Sequence, residues 1–323
     1  MSIQITIIGL GQIGASMGLA LSTHKNLHLI GHDKNMDAAN TAKKMGAVHQ
    51  VKRNLPNSVI DSDIVILSLP FNELQETVVY IKENLKEGSV LLDTAPNKNK
   101  TQVWMQENLP AGRAYIGLAP VINPSYLHEE ELGVKSARED LFHKTAAMIA
   151  APPSAPPDAL QLAADLSGLL GAKPLFADID ELDGIFASTH LLPPLTAAAL
   201  LNTTVDAPGW DEARKVASRT YAEITRAILH QEGAESLSAA AMANRKNLER
   251  LLDGMIASLR EIKKTLQEKD EEGLDALLTR AEDGRVLWMR ERRNADWLDT
   301  GVKPDPVAPA GMMERLLGVK KRK

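Results

Sequence analysis

Two hydrophobic rhythms divide this chain. Over its first 178 residues, short apolar runs recur at 3–8, 27–31, 64–70, 89–93, 114–118, 146–150 and 173–177. Runs of this length, bounded by Gly, Pro, Asn or Asp, read as buried strands. Stretches of helical spacing separate most of them, at 15–21, 35–45, 71–85, 101–108 and 158–170, and residues 47–48 read as one further short strand. The helix at 158–170 is expected to start on an Asp158 cap and to close at Gly171. Strand and helix in alternation predict an α/β fold with a doubly wound parallel sheet. Ligands of such sheets collect at the carboxyl ends of the strands, here Pro70, residues 93–98 and Ala119 onward.

From about Asp178 the rhythm becomes helical throughout, over 180–205 with a kink at Pro193-Pro194, then 210–231, 239–269 and 271–297. The apolar stripes in these segments recur at helical spacing. The chain therefore divides into residues 1–178, an α/β unit; 179–298, an all-helical unit; and 299–323, a flexible tail. A helical unit in this position commonly supplies the far wall of a cleft and a dimer interface, so a homodimer is expected. The tail, with Lys303-Pro304-Asp305-Pro306 and the closing Lys320-Lys321-Arg322-Lys323, reads as a solvated end.

Chemistry concentrates at the start. The first strand runs into Gly9-Leu10-Gly11-Gln12-Ile13-Gly14, a helix follows, and the second strand ends on Asp33. This is the fingerprint of a Rossmann-type dinucleotide site. Gly9 can take backbone angles closed to other residues, Gly11 admits a pyrophosphate, and Gly14 lets helix and strand pack closely. The amide groups at the head of the helix, around Gln12 and Ile13, would hold the phosphates. A carboxylate at position 33 accepts both ribose hydroxyls and repels a 2′-phosphate, which favours NAD over NADP; Lys34 weakens that preference slightly. Leu69, Pro70 and Asp93, at the ends of the next two strands, complete the expected cofactor set.

Composition narrows the classes. A net charge of −5 over 323 residues argues against general nucleic-acid binding, and the lack of cysteine excludes thiolate zinc sites, disulfides and a cysteine nucleophile. Residues 3–21 carry no charge, but glycines, Gln4 and Gln12 interrupt them and no positive region precedes them. The cofactor turn explains those interruptions and a membrane segment does not. A soluble cytoplasmic protein is expected.

Several motifs together resemble the prephenate/arogenate dehydrogenases of tyrosine biosynthesis. They are the glycine turn, residues 93–98, Gly133 with Asp140-Leu141-Phe142, Gly171-Ala172-Lys173-Pro174, His190-Leu191, Arg214 with Ser218, and Asn244-Arg245-Lys246. The resemblance spans residues 3–297. It implies a nicotinamide domain, an intertwined helical dimerisation domain, and NAD-dependent oxidative decarboxylation of a cyclohexadienyl acid, with Arg214 and Ser218 on one helix face binding the substrate anion. The sequence departs from the family pattern at three places. The serine of Asp-x-Gly-Ser-x-Lys is Pro96. The His-Pro after the next strand falls on Ala119-Pro120 or on Pro124-Ser125. The helix motif Ser-His-x-Pro-His becomes Thr189-His190-Leu191-Leu192-Pro193. A positioned acid or base contributes roughly 10²–10⁴ in rate, so a substitute is required for the family reaction. The candidates are His190 and Asn123, with His128 on an inserted segment that otherwise reads as a solvated, glutamate-rich face. The alternatives are a diverged NAD-dependent oxidoreductase acting on another small carboxylate, or a non-catalytic NAD-binding protein.

Overall fold

A computed structural model describes residues 2–229 and 232–295. Its first half unfolds in the order β1 (Ile3–Ile8), α1 (Gln12–Ser22), β2 (Leu27–His32), α2 (Met36–Met45), β3 (Gln50–Val51), α3 (Leu55–Val59) and β4 (Ile64–Leu67). It continues through α4 (Leu74–Ile81), β5 (Val90–Asp93), α5 (Lys98–Asn108), β6 (Ala114–Pro120), β7 (Thr145–Ala150), α6 (Pro157–Leu169) and β8 (Ala172–Phe176). The strands form one sheet in the order β3-β2-β1-β4-β5-β6-β7-β8. Strand order reverses between β1 and β4, and the crevice that opens there is where sheets of this kind bind ligands.

Four details differ from the sequence reading. Strand β7 runs antiparallel to β6. A parallel return needs a long crossover, usually a helix; residues 121–144 contain only the 3₁₀ turns Pro124–Tyr126 and Gly133–Ser136. The short strand lies at Gln50–Val51 rather than at 47–48, because Ala47 and Val48 are buried against the first core instead of pairing in the ladder. Helix α6 starts with Pro157 in its first turn and Pro156 as its cap, so Asp158 is a first-turn acid and not the cap. The helix expected at 71–85 is a 3₁₀ turn, Phe71–Glu73, followed by α4 and a second such turn, Lys82–Asn84.

The second half consists of α7 (Ile179–Phe186), α8 (Leu192–Thr204), α9 (Trp210–Val216), α10 (Arg219–Thr225), α11 (Gly233–Ala243), α12 (Arg245–Glu268) and α13 (Glu271–Asn294). Between α7 and α8 the helix widens into a π turn at Ala187–Leu191. Pro193 and Pro194 have no N–H to donate and crowd the carbonyls four residues back; a wider turn ahead of them relieves both problems where a kink was expected. The segment 210–231 breaks at Ala217-Ser218, and 239–269 breaks at Asn244 after starting early at Gly233. The end of the last expected helix at Trp297 and the tail at 299–323 lie outside the described residues.

Three buried clusters hold the fold. The largest lies on one face of the sheet and includes Ile5, Ile7, Leu29, Ile66 and Leu166. On the other face Leu67, Phe71 and Leu74 meet Ala187, Leu191, Leu237 and Leu248, so the helical half docks directly on the sheet. A third joins Ala119 and Ala150 to Ile179, Leu182 and Phe186. By contrast α12 and α13, of 24 residues each, bury one residue apiece, Leu248 and Met289. The stretch Ile179–Thr204 is long and apolar enough to cross a membrane, the single such helix among the described residues, and only 28% of its apolar window is buried.

Candidate active site

The glycine turn separates its three glycines by task. Gly9 has φ +91°, and a Cβ there would sit 2.1 Å from the Ser68 carbonyl oxygen; at Gly14 it would sit 2.0 Å from the oxygen of Gly9. Neither position can carry a side chain. Gly11 faces open space, with nothing within 4 Å of a Cβ built on it. It also caps α1 without a side-chain oxygen, and the first turn of α1 holds no acidic residue. The positive end of that helix is left available to an anion. Asp33 stands beside the turn with both carboxylate oxygens anchored: Leu10 N–H donates to Oδ2 and Asn35 N–H to Oδ1, each at 2.7 Å.

A cleft of about 1470 Å³ opens over these residues. One wall is Gly9, Gly11, Gln12, Ile13 and Asp33; a second is Ser68, Leu69, Pro70 and Glu73. The loop after β6 adds Ile122, Leu127, His128 and Glu129, and the helical half closes the far side with Arg219, Glu223 and Arg226. Sites for one small molecule usually measure ~300–1,000 Å³; this volume accommodates a dinucleotide with a second ligand. The open Gly11, the uncapped helix head and the anchored carboxylate fit a dinucleotide.

Two residues of the expected cofactor set stand back from the lining. Gly14 packs behind the turn. Asp93 is fully buried in a polar network: Lys98 Nζ donates to its Oδ1 at 2.9 Å and to its carbonyl at 2.8 Å, and Tyr115 OH donates to its Oδ2 at 2.6 Å. A carboxylate so engaged has its oxygens committed within the protein and does not line the cleft. The network reaches the helical half through Asp183 on α7, which accepts from Lys98 N–H at 2.6 Å and Asn99 N–H at 3.0 Å, the first two amides of α5, beside the Asn97 cap. Asn244, at the α11–α12 break, donates to the Asp183 carbonyl at 2.7 Å. Burial lowers the Lys98 ammonium below the ordinary lysine value, against the opposing pull of Asp93. Burial also raises the Asp183 carboxyl, and burial together with the Asp93 charge holds the Tyr115 phenol well above its usual value.

The four expected catalytic and substrate residues do not line this cleft. Asn123 is engaged in its own turn: its side-chain oxygen accepts from Ser125 N–H at 3.0 Å and its amide donates to the His143 carbonyl at 3.3 Å. His190 lies exposed on the π turn, its Nδ1 2.8 Å from Thr189 Oγ1 and its ring edge-on to Phe186. Arg214 lies in the last turn of α9, exposed and paired with Asp211 at 3.3 Å, whereas Ser218 is the N-cap of α10. The break at Ala217 places them on different helices, so the expected single helix face is not formed. His128, by contrast, does line the cleft.

Sequence reasoning missed Arg226 and Glu73. Arg226 is half-buried and donates to the Glu129 carbonyl, which fixes it between the helical half and the loop after β6. Arg219 and Arg226 stand seven residues apart, the interval that places two side chains on one helix face, and this was the available signal. Arg292 on α13 braces the same loop by donating to the Ile122 carbonyl at 2.7 Å.

Comparison with known proteins agrees with this architecture. Residues 17–175 match the family model for the prephenate dehydrogenase nucleotide-binding domain, and residues 178–280 match that for the prephenate dehydrogenase dimerization domain. Among solved structures, prephenate dehydrogenase from A. aeolicus in complex with hydroxyphenyl propionate and NAD+ superposes with a TM-score of 0.75 at 20% identity, over 88% of this chain and 98% of that one. Synechocystis arogenate dehydrogenase gives a TM-score of 0.67 at 20% identity, over 88% and 100%. A putative prephenate dehydrogenase from Corynebacterium glutamicum gives 0.69 at 17%, over 91% and 90%. No curated protein matches the chain. Two consecutive domain matches across most of its length show that the chain belongs to the prephenate dehydrogenase family.

Proposed function

We propose that this chain is an NAD-dependent dehydrogenase that oxidatively decarboxylates a cyclohexadienyl acid of the prephenate or arogenate type, and that it works as a homodimer. One observation carries the reading: the glycine turn and Asp33 open into the same cleft that the helical half closes with Arg219 and Arg226. NAD, when bound, supplies the hydride acceptor. The chain holds it through the head of α1 and the Asp33 carboxylate, and Leu69 and Pro70 border it on the β4 side.

Arg226, held by the Glu129 carbonyl, presents a planar cation suited to a carboxylate in two hydrogen bonds. His128 is the imidazole placed to accept the proton of the reacting hydroxyl, since Pro96 has none to offer and the Asn123 side chain is engaged in its turn. The apolar surface of Ile179–Thr204 and the stripe at Ile256, Leu259 and Leu266 on α12 support assembly with a second copy. The test is NAD reduction by purified protein with prephenate and with arogenate, beside calorimetry of NAD alone. Turnover on either acid is the expected result; NAD binding with no turnover on either defeats the proposal. A second reading, oxidation of another small carboxylate, is favoured by Pro96, and a panel of 2-hydroxy and cyclohexadienyl acids separates the two.

A further inference from the structure

We propose that Glu73 is a specificity-determining residue that keeps the cleft selective for NAD by holding Lys34 away from the ribose subsite. The inference rests on the reading of the cleft as a dinucleotide site. Asp33 and Lys34 directly follow β2 as an acid and then a base. The acid suits the ribose hydroxyls of NAD, and a cation beside it is the group that accommodates the 2′-phosphate of NADP. The sequence at this point thus carries determinants for both coenzymes.

The structure removes the ambiguity. Glu73, 39 residues further on, forms an ion pair with Lys34, and Asp33, Lys34 and Glu73 all line the cleft. Strands β2 and β4 flank β1 on opposite sides, so the pair spans the mouth of the glycine turn. The two partners differ in how firmly they are held. Glu73 closes the Phe71–Glu73 turn, whose Phe71 is 2% exposed and donates its N–H to Ser236 Oγ at 2.9 Å, while Glu73 N–H donates to the Pro70 carbonyl at 3.0 Å. Lys34 has a side chain 75% exposed on a long flexible stem. The fixed carboxylate therefore determines where the ammonium rests. An incoming 2′-phosphate has to draw Lys34 off Glu73 and lie near two carboxylates, whereas NAD encounters neither cost.

The test measures calorimetric affinities for NAD and NADP in full-length protein and in Glu73→Gln, Lys34→Ala and the double variant. Glu73→Gln keeps the shape and a hydrogen-bond acceptor but removes the charge. Its NAD affinity is expected to stay near that of the parent while its preference for NAD over NADP falls about two- to fivefold, the scale of a partly exposed ion pair. Made in the Lys34→Ala background, the same change is expected to give a smaller gain, and about 1 M salt to compress it, where the screening length drops to about 3 Å. The proposal is overturned if Glu73→Gln binds NAD normally with an unchanged preference, or if Glu73→Gln raises NADP affinity as much in the Lys34→Ala background as in the parent. A parent protein that binds neither coenzyme instead defeats the reading of the cleft itself.

Discussion

The sheet and the long helices hide their apolar residues by different means. Ile5, Ile7, Ile66, Leu92 and Ile116 are fully buried, covered on both faces by elements of the same chain. Helices α12 and α13 also carry apolar residues at helical spacing yet leave Leu259, Leu266 and Leu278 more than half exposed. The first region completes its core within one chain. The second leaves its apolar stripe uncovered within one chain, in a region that matches a dimerization domain over residues 178–280. Sequence hydrophobicity alone marks both regions as core; which of them is covered within one chain follows from the topology.

The contrast is broken most severely at Gly14. A valine there would drive its Cβ into the Gly9 carbonyl, and Gly14→Val is expected to cost more than about 4 kcal/mol and to prevent folding of the nucleotide-binding half, read by thermal unfolding. Next comes Lys98→Met, which leaves the Asp93 carboxylate buried and uncompensated. A loss of about 3–5 kcal/mol is expected in urea unfolding, and through Asp183 and Asn244 it should destabilise both halves together.

Tyr115→Phe removes one hydrogen bond to a charged acceptor and should cost about 1.5–3 kcal/mol. It also carries a pH signature. The Tyr115 phenol is raised in the folded state, so its contribution is fully present below the ordinary tyrosine value of 10.0 and is lost as pH rises above it. The parent should therefore lose stability on that account above pH 10, and the variant should show a shallower fall. Lys98 has the opposite sign: its lowered value makes stability rise as pH approaches 10.5, and because both proteins retain it, their difference isolates the phenol.

The smallest effect on folding is expected on α12. Leu259→Lys with Leu266→Lys should change the intrinsic stability of one chain by less than about 1 kcal/mol while shifting sedimentation toward the monomer. If the same pair unfolds the protein without changing its mass, the two regions are built alike and the contrast fails.

What could be read in the sequence follows the range of the interactions. The unit from Ile3 to Asp33 was legible because its parts are close in sequence and each glycine has a local reason. Even so, the tight contact at Gly9 comes from Ser68 and the anchor of Asp33 is an amide 23 residues away. The direction of β7 was not legible from its own residues, since it depends on a connection that lacks a crossover helix. Asp93 stood at a strand end of the right kind, but its burial depends on Tyr115 and Lys98 converging from other elements. Arg214 and Ser218 have helical spacing in sequence, and only the break at Ala217 separates them. Ser218 is an N-cap type, the local hint of that break.

The π turn at Ala187–Leu191 carries a geometric corollary. One extra residue in a helix slips the angular phase of everything beyond it by about 100°. Upstream of the slip, Leu182 and Phe186 pack with Ala119 of β6 and Ala150 of β7; at and beyond it, Ala187 and Leu191 serve the core built on Phe71 and Leu248. A continuous screw would commit this rod to one neighbour. The dislocation lets it address two, so deleting a single residue here would rotate the rest of the rod out of mesh, as a gear slips by a tooth.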